Sequence, residues 1–116
     1  MYYIQKSFEI SASHHLTLSY QSKCSNVHGH NWHVTVYCKS KTLNSDGMVA
    51  DFSEIKHLIH GKLDHADLNK VLPFNPTAEN ICFVIWNILR QKLDSRYALT
   101  VRLYETPRNY VEYEGE

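Results

Sequence analysis

Eight histidines occur among 116 residues, and three of them are spaced to share one ion. The stretch "CSNVHGHNWHVTV", residues 24–36, holds a cysteine and three histidines and then runs into a β-like pattern. Alternation puts His28 and His30 on one face with Trp32, Val34, Val36 and Cys38, and His33 on the other. Residues 4–14 also alternate, with Ile4, Phe8, Ile10, Ala12 and His14 on one face. If the two strands pair, the imidazoles of His14, His28 and His30 converge from inward positions. Three such ligands fill three corners of a tetrahedral metal site and leave the fourth open, the catalytic arrangement. Gly29, between two of them, is expected to relieve backbone crowding.

Other residues could extend that chemistry. Cys24 lies four positions before His28. It could be a fourth ligand closing a structural site, or a nucleophile or base beside the metal. "LDHADLN" puts Asp64 beside His65, a pair that could relay a proton or simply face water. Glu105 continues the apolar row Leu99, Val101, Leu103. A carboxylate there is either a solvated strand end or an acceptor for paired N–H donors of a ligand. His15 and His33 fall on the outward faces, and His57 and His60 are read as surface residues of a helix. Cys38 and Cys82 are read as small buried apolar residues.

Four strands and two helices must position these groups. After the two alternating strands, "NSDG" marks a turn at 44–47. Phe52, Ile55, Leu58, Ile59 and Leu63 then recur at helical spacing, with Asp51 or Ser53 as cap. Thr77 caps a second helix with Glu79 in its first turn and Ile81, Ile85, Ile88 and Leu89 as its inner stripe. Leu99–Leu103 and "YVEYEG" complete a β-β-α-α-β-β order. The class is α+β with an antiparallel sheet of four strands, and residues 1–116 are expected to form a single domain.

Bulk properties exclude several roles. Twelve basic and twelve acidic residues balance, so no field favours nucleic acid or an anionic membrane. No apolar run approaches the roughly 20 residues of a membrane span, and "MYYIQKSFEI" lacks a secretory apolar core. Three cysteines without close spacing point to a reducing compartment, the cytoplasm.

The motifs "FEISASHHL" (8–16), "CSNVHGHNW" (24–32), "GMVADF" (47–52), "LDHADLN" (63–69), "NPTAEN" (75–80) and "YETPRNYVEY" (104–113) occur in this order. Together they resemble the 6-pyruvoyl-tetrahydropterin synthase family, most of all its bacterial branch, the 6-carboxy-tetrahydropterin synthases of queuosine biosynthesis. The resemblance implies the tunnelling fold, an antiparallel sheet with two helices on one face, and a homo-oligomer, a trimer or a hexamer of two trimers, with active sites between subunits. It implies Zn2+ on His14, His28 and His30, Cys24 as general base rather than ligand, and catalytic Asp64 and His65. It implies Glu105 as pterin anchor and places Thr77 and Glu79 near the pterin pocket. The implied substrate is a small pterin triphosphate, 7,8-dihydroneopterin triphosphate. A folate-pathway branch carries Glu at the cysteine position, so Cys24 points away from it. His15 stands where the family more often shows Arg.

Overall fold

The computed structural model describes Met1–Glu116. Two long strands, β1 (Tyr2–His14) and β2 (His28–Ser40), are joined by a loop containing a 3₁₀ turn at Lys23–Ser25. They are followed by α1 (Phe52–Leu63), β3 (Ala66–Asp67), α2 (Leu68–Val71), α3 (Ala78–Lys92), β4 (Ala98–Thr106) and β5 (Asn109–Tyr113).

Period two dictates the β1–β2 pairing. The strands run antiparallel with Ile10 opposite Trp32, Ala12 opposite His30 and His14 opposite His28. Residues facing one another across a ladder share a sheet face, so the apolar rows of both strands coincide. Phe8, Ile10, Trp32, Val34, Val36, Val101 and Leu103 then pack with Ile55 and Ile59 of α1 and Ile81 and Ile85 of α3 in one buried core. Asp51 caps α1 by accepting the Ser53 N–H at 2.8 Å. Thr77 caps α3 by accepting the Asn80 N–H at 3.2 Å. No helix is long and apolar enough to cross a membrane.

Trp32 is wholly buried at the boundary between this core and the histidines. Its indole meets the rings of His14 and His30 edge-on, with centroids 5.0 and 5.1 Å away. Trp32→Ala is expected to destabilise the chain by about 3–5 kcal/mol, measured by urea unfolding. A smaller loss would mean that the histidine end of the sheet packs independently of the core.

The sheet differs from the expected one in two respects. It has five strands, ordered β3-β1-β2-β4-β5, and β3 runs parallel to β1. After α1 ends, Ser11 of β1 takes the Asp64 carboxylate on its N–H at 2.9 Å and the His65 N–H on its carbonyl at 2.6 Å. The chain continues alongside as Ala12↔Ala66 and Ser13↔Asp67. Two residues carry no periodicity by which to read a strand. The four-residue α2, capped by Asp67, was likewise unexpected.

Candidate metal centre and active site

Each histidine of the expected trio sits at the ligand end of a long strand, and the three meet. One ring nitrogen from each of His14, His28 and His30 lies within 4.8 Å of the other two. Main-chain carbonyls set two of the rings. His14 Nδ1 donates to the Pro76 carbonyl at 2.8 Å, and His28 Nδ1 donates to that of Asn26 at 2.7 Å. With Nδ1 committed as donor, Nε2 presents a lone pair in each ring. The Nε2 atoms of His14 and His30 are buried without a hydrogen-bond partner. A buried, unpaired nitrogen is costly unless its lone pair has a receiver. Burial also holds His14 and His30 below the ordinary imidazole range, opposed in His14 by the Pro76 hydrogen bond and in His30 by Glu105. Neutral, convergent imidazoles of this kind fit a divalent cation.

Glu105 joins this group by way of a bulge. Tyr104 pairs with Tyr110 and Thr106 with Asn109, which leaves Glu105 as the extra residue. A bulge re-aims its side chain, and the Glu105 carboxylate lies 3.8 Å from His30 Nε2 at 30% exposure. It is therefore neither a free strand end nor a fully buried charge.

Cys24 lies outside the three-imidazole group. Its half-exposed side chain stands in the 3₁₀ turn, where Ser22 Oγ accepts its N–H at 3.1 Å and its carbonyl accepts the Leu16 N–H at 2.8 Å. The other two cysteines are buried, which pushes their thiols up to about 11 for Cys38 and about 12 for Cys82. Cys24 is thus the one thiol open to solvent.

Asp64 and His65 form a second cluster. Asp64 Oδ2 lies 3.5 Å from His65 Nε2, whose ring is 82% exposed. The Ser11 N–H, followed by the charges of His65 and His60, holds the Asp64 carboxyl below its ordinary range. His65 takes a left-handed backbone, φ 58°. No hydrogen bond or ion pair within the chain joins this cluster to Cys24 or to the imidazole trio.

The remaining candidates are placed as follows. Thr77 is the α3 cap and the exposed Glu79 follows in the first turn, directly after Pro76, which orients His14. His15 is half-buried, its N–H held by Asn69 Oδ1 at 2.8 Å. His33 faces away from the core, edge-on to Tyr104 at 5.9 Å. His57 is exposed as expected, but His60 is half-buried and contacts both Glu9 and Asp64. Gly29 does not relieve crowding, because a Cβ there would meet nothing within 4 Å. The Pro76 carbonyl, which orients His14, is invisible in the sequence because a main-chain acceptor leaves no mark in residue type.

A model of the 6-pyruvoyl tetrahydropterin synthase family matches residues 3–116. The chain belongs to that family. Within the 6-pyruvoyl tetrahydropterin synthase family, the 6-carboxy-5,6,7,8-tetrahydropterin synthase of Bacillus subtilis is 31% identical over 121 residues, 95% of this chain and 83% of the relative. The 6-pyruvoyl tetrahydrobiopterin synthase of Pongo abelii is 33% identical over 132 residues, 97% of this chain and 91% of the relative. The solved structure of the Caenorhabditis elegans 6-pyruvoyl tetrahydropterin synthase superposes with a TM-score of 0.81 at 26% identity, covering 99% of this chain and 96% of that one. The fold is the tunnelling fold of these synthases.

Proposed function

We propose that this chain, as a single domain, is a 6-carboxy-5,6,7,8-tetrahydropterin synthase. It converts 7,8-dihydroneopterin triphosphate, with uptake of water, to 6-carboxytetrahydropterin, acetaldehyde and triphosphate in queuosine biosynthesis. The observation that carries this reading is the convergence of His14, His28 and His30 within 4.8 Å with a reachable thiol, Cys24, outside the group. The Bacillus subtilis relative, whose name states the same activity, supports it.

His14, His28 and His30 would hold zinc, which supplies Lewis acidity that makes bound hydroxyls easier to deprotonate. Cys24, as thiolate, takes a proton from the substrate side chain. His65, oriented by Asp64, delivers or removes a proton at the same side chain. Glu105 accepts paired N–H groups of the pterin ring, for which a carboxylate's two oxygens are suited. Thr77 and Glu79 border the ring pocket. His30 and His65 line one cavity of the chain, but no hydrogen bond or ion pair joins Asp64 and His65 to the trio, and this reading has the site completed between subunits of a trimer or hexamer. Three unpaired cysteines suit the reducing cytoplasm.

The Pongo abelii relative favours a second reading, elimination of triphosphate to give 6-pyruvoyl-tetrahydropterin. Incubating the pure, zinc-loaded protein with dihydroneopterin triphosphate and assaying acetaldehyde separates the two. Acetaldehyde in step with triphosphate is expected. Triphosphate without acetaldehyde overturns the first reading in favour of the second. No turnover with zinc bound would point instead to a non-catalytic zinc-binding module.

A further inference from the structure

His60 has both ring nitrogens against oxygen. Its Nε2 lies 2.6 Å from the Glu9 carbonyl, and its Nδ1 lies 3.6 Å from Asp64 Oδ2. A carbonyl can only accept, so Nε2 carries a hydrogen and donates it. A neutral ring would then turn the Nδ1 lone pair toward a carboxylate, and two electron-rich groups repel. The contact attracts only when Nδ1 also carries a hydrogen and the ring is cationic. The Phe8 ring, edge-on with its centroid 5.5 Å away, fixes the plane of the imidazole. His60 is 28% exposed, so it is held far more firmly than His65.

Asp64 is therefore gripped from three sides. The Ser11 N–H holds Oδ1 at 2.9 Å, while Oδ2 is shared by His60 at 3.6 Å and His65 at 3.5 Å. His65 itself is 82% exposed, and Asp64 is the only side chain it is paired with. Its orientation thus derives from Asp64, and that of Asp64 from Ser11 and His60. Around His60 the paired carboxylate is Asp64, with His65 behind it; β1 offers only the Glu9 main chain and the Phe8 ring.

We propose that His60 is a positioning residue for the Asp64–His65 pair: when protonated it fixes the Asp64 carboxylate and limits how strongly that carboxylate favours a protonated His65. The catalytic consequence rests on the synthase reading; the coupling between the two histidines does not. Asp64 is held below its ordinary range chiefly by the Ser11 N–H, with His65 and then His60 as smaller contributors, which agrees in direction. Removing the His60 charge leaves the carboxylate's full field to His65. The protonated form of His65 then gains, and its titration moves to higher pH.

The test follows both imidazoles by NMR through a pH titration of the intact protein and of two variants. His60→Gln keeps an amide donor for the Glu9 carbonyl and removes the charge at Asp64. His60→Asn keeps a neutral donor near the Nδ1 position. The His65 midpoint is expected to rise by about 0.5–1 pH unit in His60→Gln and less in His60→Asn. In the acetaldehyde assay, kcat is expected to fall roughly tenfold with KM unchanged, its pH profile moving with the His65 midpoint. A His65 midpoint that is the same in all three proteins overturns the proposal. A shifted midpoint in a protein without turnover upholds the coupling and removes only the synthase reading.

Discussion

Cys24→Ala is expected to lower acetaldehyde formation by about 10²–10⁴-fold and leave bound metal unchanged. The thiol lies outside the group of three imidazole nitrogens, so its loss removes no ligand. Its turn is held by main-chain contacts to Ser22 and Leu16, which alanine preserves. Half-exposed and without a buried partner, it should cost no more than about 0.5 kcal/mol of stability. A positioned general base contributes about 10²–10⁴-fold to turnover, and the variant should fall by that range. Metal content, measured on the same sample, decides the alternative. If zinc leaves with the thiol, Cys24 is a fourth ligand, the site is closed and the binding-module reading returns.

His28→Ala should have the opposite signature: metal lost first, and turnover in consequence. His28 is the best of the three imidazoles for this test because it begins its strand and is half-exposed. His14 is only 1% exposed, and removing it would also unseat the Pro76 carbonyl and the packing on Trp32. Loss of an outer partner of a metal ligand lowers affinity about 10–100-fold, so loss of a ligand itself should exceed about 100-fold in a competition titration with a chromophoric chelator. The parent should also melt at a higher temperature with zinc than after chelation, because an ion that binds only the folded chain stabilises it by mass action. In His28→Ala that difference should largely vanish. An unchanged affinity would mean that the trio is a buried aromatic cluster and not a metal site.

These groups were unequally legible in the sequence. His14, His28 and His30 could be assigned to one inward face because strand parity is strict: a one-residue slip would send all of them, and Trp32, to the other side. Both main helices were equally plain, since each has a side-chain cap and a long apolar stripe. Glu105 was legible as a continuation of the Leu99–Leu103 row, but the bulge that turns it toward His30 was not. A bulge depends on how β5 pairs, and β5 is only five residues long. The strand β3 was missed because its two residues, Ala66 and Asp67, are defined by their neighbours in β1 rather than by their own pattern. His60 was misread because a helical stripe of Ile55, Ile59 and Leu63 makes position 60 a flank. Its decisive partner, the Glu9 carbonyl, lies 51 residues away.

The left-handed backbone of His65 sets two demands of the chain against each other. At φ 58° a residue with a Cβ is about 1–2 kcal/mol less comfortable than in its preferred conformation, while glycine is at ease there. Selection for robustness alone would therefore favour glycine at position 65. Keeping an imidazole means tolerating strain at the point where Ser11 hands the helix end over to β3. Thermal endurance and the proton handling proposed for His65 cannot both be maximised at this position, so a search for hardier variants would drift toward dispensing with this imidazole.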